Sequence, residues 1–251
     1  DPQLRVLPVW ASMLLLGGIG VRYMAAREYK MFAHTAATVG TLALSFWIVF
    51  EHRGGTEVFM YAALLCFAVA AITLNSVLMA VAVLATTPVL NVGTFYQHAM
   101  YALVVERPLT TVLVYGAAAI LAGLVAQHSR YPLSRMSLIV FGASLFLVHL
   151  AFWVGSIWGD RSQGGAYSPD AFALAWAIAC AAVMLWALWQ DKRNVVVLSG
   201  VFLAINMYTQ WFERFFRNPS ELLLASGIGI VLVLSGLFYW NRREQSHVQA
   251  A

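Results

Sequence analysis

The chain has 251 residues, of which 61% are hydrophobic and only 10% charged, with a formal net charge of +4. Soluble domains average about 25% charged residues, so the composition excludes a soluble enzyme domain, a nucleic-acid module and a disordered protein. The charges are also segregated: every Asp, Glu, Lys and Arg falls outside eight apolar windows, 6–21, 31–50, 58–105, 108–129, 136–159, 171–190, 194–212 and 222–241.

A bilayer core of about 30 Å needs about 20 helical residues per crossing. Backbone groups in lipid must bond within the membrane-spanning structure itself, and long apolar runs without alternation point to helices rather than a barrel. The first predicted span is Leu7–Ala26, with Arg22 near its end, where a long side chain reaches the headgroups. The second is Met31–Phe50. Window 58–105 is too long for one crossing and is divided at Asn75-Ser76 into Val58–Leu74 and Val77–Phe95, with Tyr96–Val105 expected at the interface. Thr86-Thr87-Pro88 and Asn91-Val92-Gly93 are expected to bend or end the fourth span, because proline removes a helix hydrogen bond. Leu109–Gln127, Met136–Gly159, Ala171–Trp189, Asn194–Trp211 and Leu222–Trp240 complete the series. The expected fold is an all-α polytopic helix bundle of about nine spans (eight is the alternative), forming one domain over 1–251 with a short polar tail at 242–251.

Alternate loops then fall on opposite sides. One set carries Arg22, Arg27, Lys30, Arg130, Arg135, Lys192, Arg193, Arg242 and Arg243; the other carries Arg5, Arg53, Arg107, Arg161, Arg214 and Arg217. The richer set is cytoplasmic by the positive-inside rule, which puts the N-terminus outside and the C-terminus inside. A start at Asp1-Pro2 rather than Met implies that an initiator, a signal or a longer region lies upstream. Trp10, Trp47, Trp153, Trp158, Trp189, Trp211 and Trp240 stand near predicted span ends, as an aromatic belt requires. Cys66 and Cys180 both lie inside apolar windows, where they read as small apolar residues.

No carboxylate, Lys or Arg occupies a predicted span centre, which argues against proton relays, ion-coupled pumps and voltage sensors. The standard hydrolase and desaturase motifs are missing too. His149 is the one histidine near the middle of a span. A neutral imidazole there is either bonded to a neighbouring backbone group or serves haem iron or a quinone, with His34 or His98 as the second histidine of a haem pair. Asn206 and Asn75 are uncharged polar residues in apolar surroundings, suited to interhelical bonds or to a polar cavity. Glu213, Arg214 and Arg217 sit among Tyr208, Trp211, Phe212, Phe215 and Phe216 and read as an amphipathic interfacial turn, or as a site for a ligand carboxylate. Small residues at helical spacing (Ala173, Ala177 and Ala181; Ala119 and Gly123; Ala118 and Ala122; Gly17, Gly18 and Gly20) offer close-packing faces, either within the bundle or toward a partner subunit.

The stretch from Asn194-Val-Val-Val-Leu-Ser-Gly through Tyr208-Thr-Gln-Trp-Phe-Glu-Arg-Phe-Phe and the Gly-containing run from Leu222 to Asn241-Arg-Arg-Glu resembles the C-terminal part of bacterial multi-spanning proteins of the DUF2157 and DUF4401-like group. That resemblance implies a bacterial inner-membrane location and no catalytic residue. The expectation is a non-enzymatic membrane protein, in contact with lipids and without nucleic acid. It would be a subunit or scaffold of a larger complex, or a passive conduit for a neutral or apolar ligand. A haem- or quinone-binding redox subunit using His149 is one alternative. A lipid-modifying or lipid-transporting protein using Glu213, Arg214, Asn206 and His149 is the other.

Overall fold

A computed structural model describes residues 2–24, 27–97, 100–160, 167–215 and 231. Eight α-helices account for most of these: α1 Pro2–Met24, α2 Lys30–Glu51, α3 Thr56–Thr73, α4 Ser76–Ala85, α5 Pro108–His128, α6 Leu133–Trp158, α7 Pro169–Trp189 and α8 Arg193–Phe215. Among the described residues, all but α4 are long and apolar enough to cross a membrane, seven helices in total. The expected ninth span, Leu222–Trp240, lies outside the described residues apart from Val231, as does His98.

Burial is reversed relative to a soluble protein. Leu174, Ile178 and Leu185 are exposed along one face of α7, while Ala173, Trp176, Cys180 and Ala187 are buried on the other. Thr41, Ser45, Thr73, Asn75, Ser144, His149, Ser199 and Asn206 are all buried. Large apolar residues outside and small or polar residues inside are what lipid as solvent favours. The chain is an integral membrane protein.

The contacts divide the chain into two compact units, 1–151 and 152–251, and the boundary falls within the continuous helix α6. In the first unit, α1 and α2 pack most closely. A Cβ on Gly18 would lie 2.5 Å from the Ala37 amide nitrogen and 2.7 Å from the Ala33 carbonyl oxygen. A Cβ on Gly40 would meet Leu15 and Ala11 in the same way, at 2.5 Å and 2.7 Å. The two backbones touch reciprocally, which only glycine at both positions permits.

The division at Asn75-Ser76 is a reversal of the chain. Leu74 adopts a left-handed conformation (φ 52°), and Asn75 caps α4 by accepting hydrogen bonds from the Val77 and Leu78 amides. Asn75 also donates to Thr38 Oγ1 at 2.5 Å, tying the reversal to α2. Leu15, Cys66, Val69, Ala70, Leu78, Met79, Ala82 and Met136 form the apolar core of this unit.

The fourth span departs from expectation. Instead of running from Val77 to Phe95, α4 stops at Ala85 and a 3₁₀ turn over Thr87–Leu90 follows. The strands β1 Val92–Gln97 and β2 Met100–Val105 then form an antiparallel hairpin, with Val92 opposite Val105 and Gln97 opposite Met100. Thr86-Thr87-Pro88 does end the helix, as expected. The stretch after it is rich in Val, Thr, Phe and Tyr, residues that suit a pleated surface better than a helix. Asn91, left-handed at φ 54°, donates to Glu106 Oε2 at 2.9 Å and closes the base of the hairpin. Among the described residues, the otherwise helical fold therefore carries one two-stranded sheet.

In the second unit, Trp176, Cys180, Phe202 and Leu203 form the core between α7 and α8. The Phe172 ring lies over Gly155 of α6, where a Cβ would come within 2.6 Å of it. After α6, Gly159 (φ 70°) turns the chain, and Asp160 pairs with Tyr167 across residues 161–166.

Candidate functional site

Helix α8 brings uncharged polar side chains to one place. Its buried face carries Ser199, Phe202, Leu203, Asn206 and Thr209, with Gln210 half-buried beside them. The intervals of three, four and seven residues follow a single helical stripe. From Ser199 to Gln210 the stripe spans about 16 Å at the helical rise per residue.

Three of these side chains have hydrogen-bonding capacity left over. Asn206 Nδ2 donates to the Ala173 carbonyl of α7 at 3.1 Å, but its Oδ1 is buried and accepts nothing. Ser199 Oγ and Gln210 Nε2 are likewise buried without a partner. Thr209 is the exception: its Oγ1 accepts from Trp153 Nε1 of α6 at 3.1 Å. Some hydroxyls elsewhere in the chain satisfy themselves, while Ser144 Oγ of α6 is also buried without a partner. Thr38, Thr41 and Thr73 each donate to the carbonyl four residues back, at 2.7, 2.6 and 2.6 Å. Ser199 is in a helix and has the same option, yet makes no such bond. Most buried polar atoms in folded proteins find a partner; three on this one stripe do not, while Trp47 Nε1 and Ser144 Oγ are unpaired on other helices.

The other sequence candidates are dispersed. His149 is completely buried in α6, the helix with the largest buried share: half of its apolar window, against a third or less in every other span. His34 lies one turn into α2, and its Nδ1 is 3.0 Å from a guanidinium nitrogen of Arg22 on α1. That pairing gives His34 a local role at the end of a helical hairpin. Asn75 is consumed by the α4 cap and Thr38. Glu213 is exposed on α8, which runs as helix to Phe215, past the expected span end at Trp211. The Arg214 side chain and the whole of Arg217 lie outside the described residues. No group of three or more His, Cys, Asp or Glu residues converges for a metal among the described residues.

Sequence reasoning singled out Asn206 but missed Ser199, Thr209 and Gln210. Their spacing was readable, yet hydroxyls and amides are common in membrane helices, and only their burial, which leaves Ser199 and Gln210 with unpaired atoms, sets these apart. Asp160, 1% exposed, was also missed because it stands just past the end of its apolar window and looked like a loop residue.

Among the small-residue faces, Gly18 is used against α2, and a Cβ on Gly123 would lie 3.4 Å from the Phe141 ring. Gly17 and Gly20 have open space beside them. Comparison with protein-family models, with curated proteins and with solved structures finds no match to this chain.

Proposed function

We propose that this chain is a non-enzymatic membrane protein that acts as a passive conduit for a small neutral solute, through its second unit. The observation that carries the reading is the row of Ser199, Asn206 and Gln210, buried with unpaired donors and acceptors and with no fixed charge among them. An uncharged hydrogen-bonding solute regains on such a stripe part of what it loses on leaving water. An ion would find no counter-charge there. The proposed orientation follows the basic loops, counting α4 together with the hairpin after it as one crossing: the N-terminus lies outside and the C-terminus in the cytoplasm of a bacterial inner membrane.

The test is permeation in proteoliposomes. Vesicles containing the chain should re-swell faster than empty ones after a hyperosmotic pulse of glycerol or urea, as followed by light scattering. The rate should be insensitive to a protonophore and lower for Asn206→Leu. Re-swelling no faster than in protein-free vesicles would exclude the conduit.

A further inference from the structure

At the opposite end of the molecule's chemistry, one groove collects cations. It has a volume of about 670 Å³ and is lined by Arg22, Tyr23, Lys30, Met31, His34 and Thr35, where α1 ends and α2 begins. We propose that this groove binds the phosphate group of an anionic phospholipid.

Four observations converge on a phosphate. Arg22 and Lys30 supply two positive charges, and Glu28 is the one acid in the connecting segment. Arg22 is not merely reaching for the interface: its guanidinium is held 3.0 Å from His34 Nδ1. A guanidinium only donates, so His34 Nδ1 accepts and the ring proton sits on Nε2, which makes this imidazole a further donor. Tyr23 is anchored by its hydroxyl to the Ile72 carbonyl at the end of α3, 3.2 Å away, which fixes the groove's rim. Finally, α2 starts without a side-chain cap and with no acid in its first turn, so no side chain of the helix itself offsets its positive dipole end beside the groove.

Two further features favour a lipid over a soluble phosphate. The groove lies where one candidate span ends and the next begins, and span ends are where a bilayer places its headgroups. Met24, Met31 and Phe32 are highly exposed around it, an apolar surface for acyl chains below a phosphate. Basic pockets between membrane helices at this depth are suited to anionic headgroups.

Native mass spectrometry of the full chain in mild detergent tests this, with dioleoylphosphatidylglycerol, dioleoylphosphatidylcholine and inorganic phosphate as probes. Phosphatidylglycerol should be retained under collisional activation in preference to phosphatidylcholine, whose choline brings a positive charge to a cationic groove. Arg22→Ala and Lys30→Ala should each lower that retention about five-fold, the effect of one surface cation on an anionic lipid. Arg22→Lys keeps the charge but loses the planar fork, and should fall between Arg22→Ala and the parent. Arg135→Ala removes an exposed cation from the start of α6, outside the groove, and should change nothing.

Lys30 is exposed at a helix start, so Lys30→Ala carries the test should Arg22→Ala fail to fold. Equal retention in the parent and Lys30→Ala, or an equal loss in Arg135→Ala, would overturn the site. Displacement of phosphatidylglycerol by millimolar inorganic phosphate would overturn the lipid assignment and leave a site for a soluble phosphate.

Discussion

Asn75 and Asn206 are both buried asparagines in apolar surroundings, and the structure uses them in opposite ways. Asn75 spends its oxygen on two amides of α4 and its nitrogen on Thr38. Asn75→Ala should therefore lower stability by about 1 kcal/mol for the lost cap, with a further contribution from the Thr38 bond, as measured by denaturant titration in micelles. Asn206 spends only its nitrogen. Hydrogen bonds between membrane helices average about 0.6 kcal/mol, and removing the unpaired oxygen recovers part of that. Asn206→Leu should then shift stability by less than about 1 kcal/mol in the same titration while slowing solute passage. A large loss of stability in Asn206→Leu would mean that the side chain is a structural tie instead. The sequence made both residues visible as breaks in apolar runs. It did not distinguish them, because the distinction lies in which neighbouring groups are close enough to bond.

At the scale of elements, the α1–α2 contact gives a paired expectation. Gly18→Ala forces a methyl into the Ala33 and Ala37 backbone and should cost about 1–3 kcal/mol, the usual range for overpacking. Gly17→Ala, one residue away with nothing within 4 Å, should be neutral or slightly stabilising. Equal effects of the two in a thermal unfolding series would argue against the backbone contact. Most helix positions were legible in the residues: α2, α5 and α7 begin and end within two residues of the apolar windows that announce them, because charges and prolines mark the ends. The hairpin was not legible. An apolar run has no periodicity that separates a buried helix from buried strands, and the preference of Val92–Val105 for strands is a small local bias. The pairing of Arg22 with His34 was equally hidden, since it depends on how closely α1 and α2 approach each other.

For the whole molecule, composition alone was enough to announce a membrane protein, and the exposed apolar faces agree with it. The proposed orientation is open to direct measurement, because the two cysteines, Cys66 and Cys180, are buried and form no disulfide. Ser129→Cys, next to Arg130, and Ser168→Cys, at the start of α7, lie at opposite ends of their spans. On intact cells, a membrane-impermeant maleimide should label Ser168→Cys, and should label Ser129→Cys only after lysis. The reverse pattern would mean either an inverted chain or that α4 and its hairpin do not cross. The polar stripe and the phosphate groove belong to different units, so variants that empty the groove should leave solute permeation unchanged.

The most extensive helix pairings, α1 with α2, α3 with α4 and α7 with α8, all join consecutive helices, and the hairpin joins consecutive strands. Each partner is thus the next segment to leave the ribosome. A helix entering the bilayer need not wait for a distant stretch of chain before covering its small-residue or polar face, and the cost of closing long loops is avoided. Insertion can proceed two segments at a time, in the order of synthesis. Of these pairs, the reciprocal glycine contact of α1 and α2 would lock before the others as the nascent chain enters the lipid.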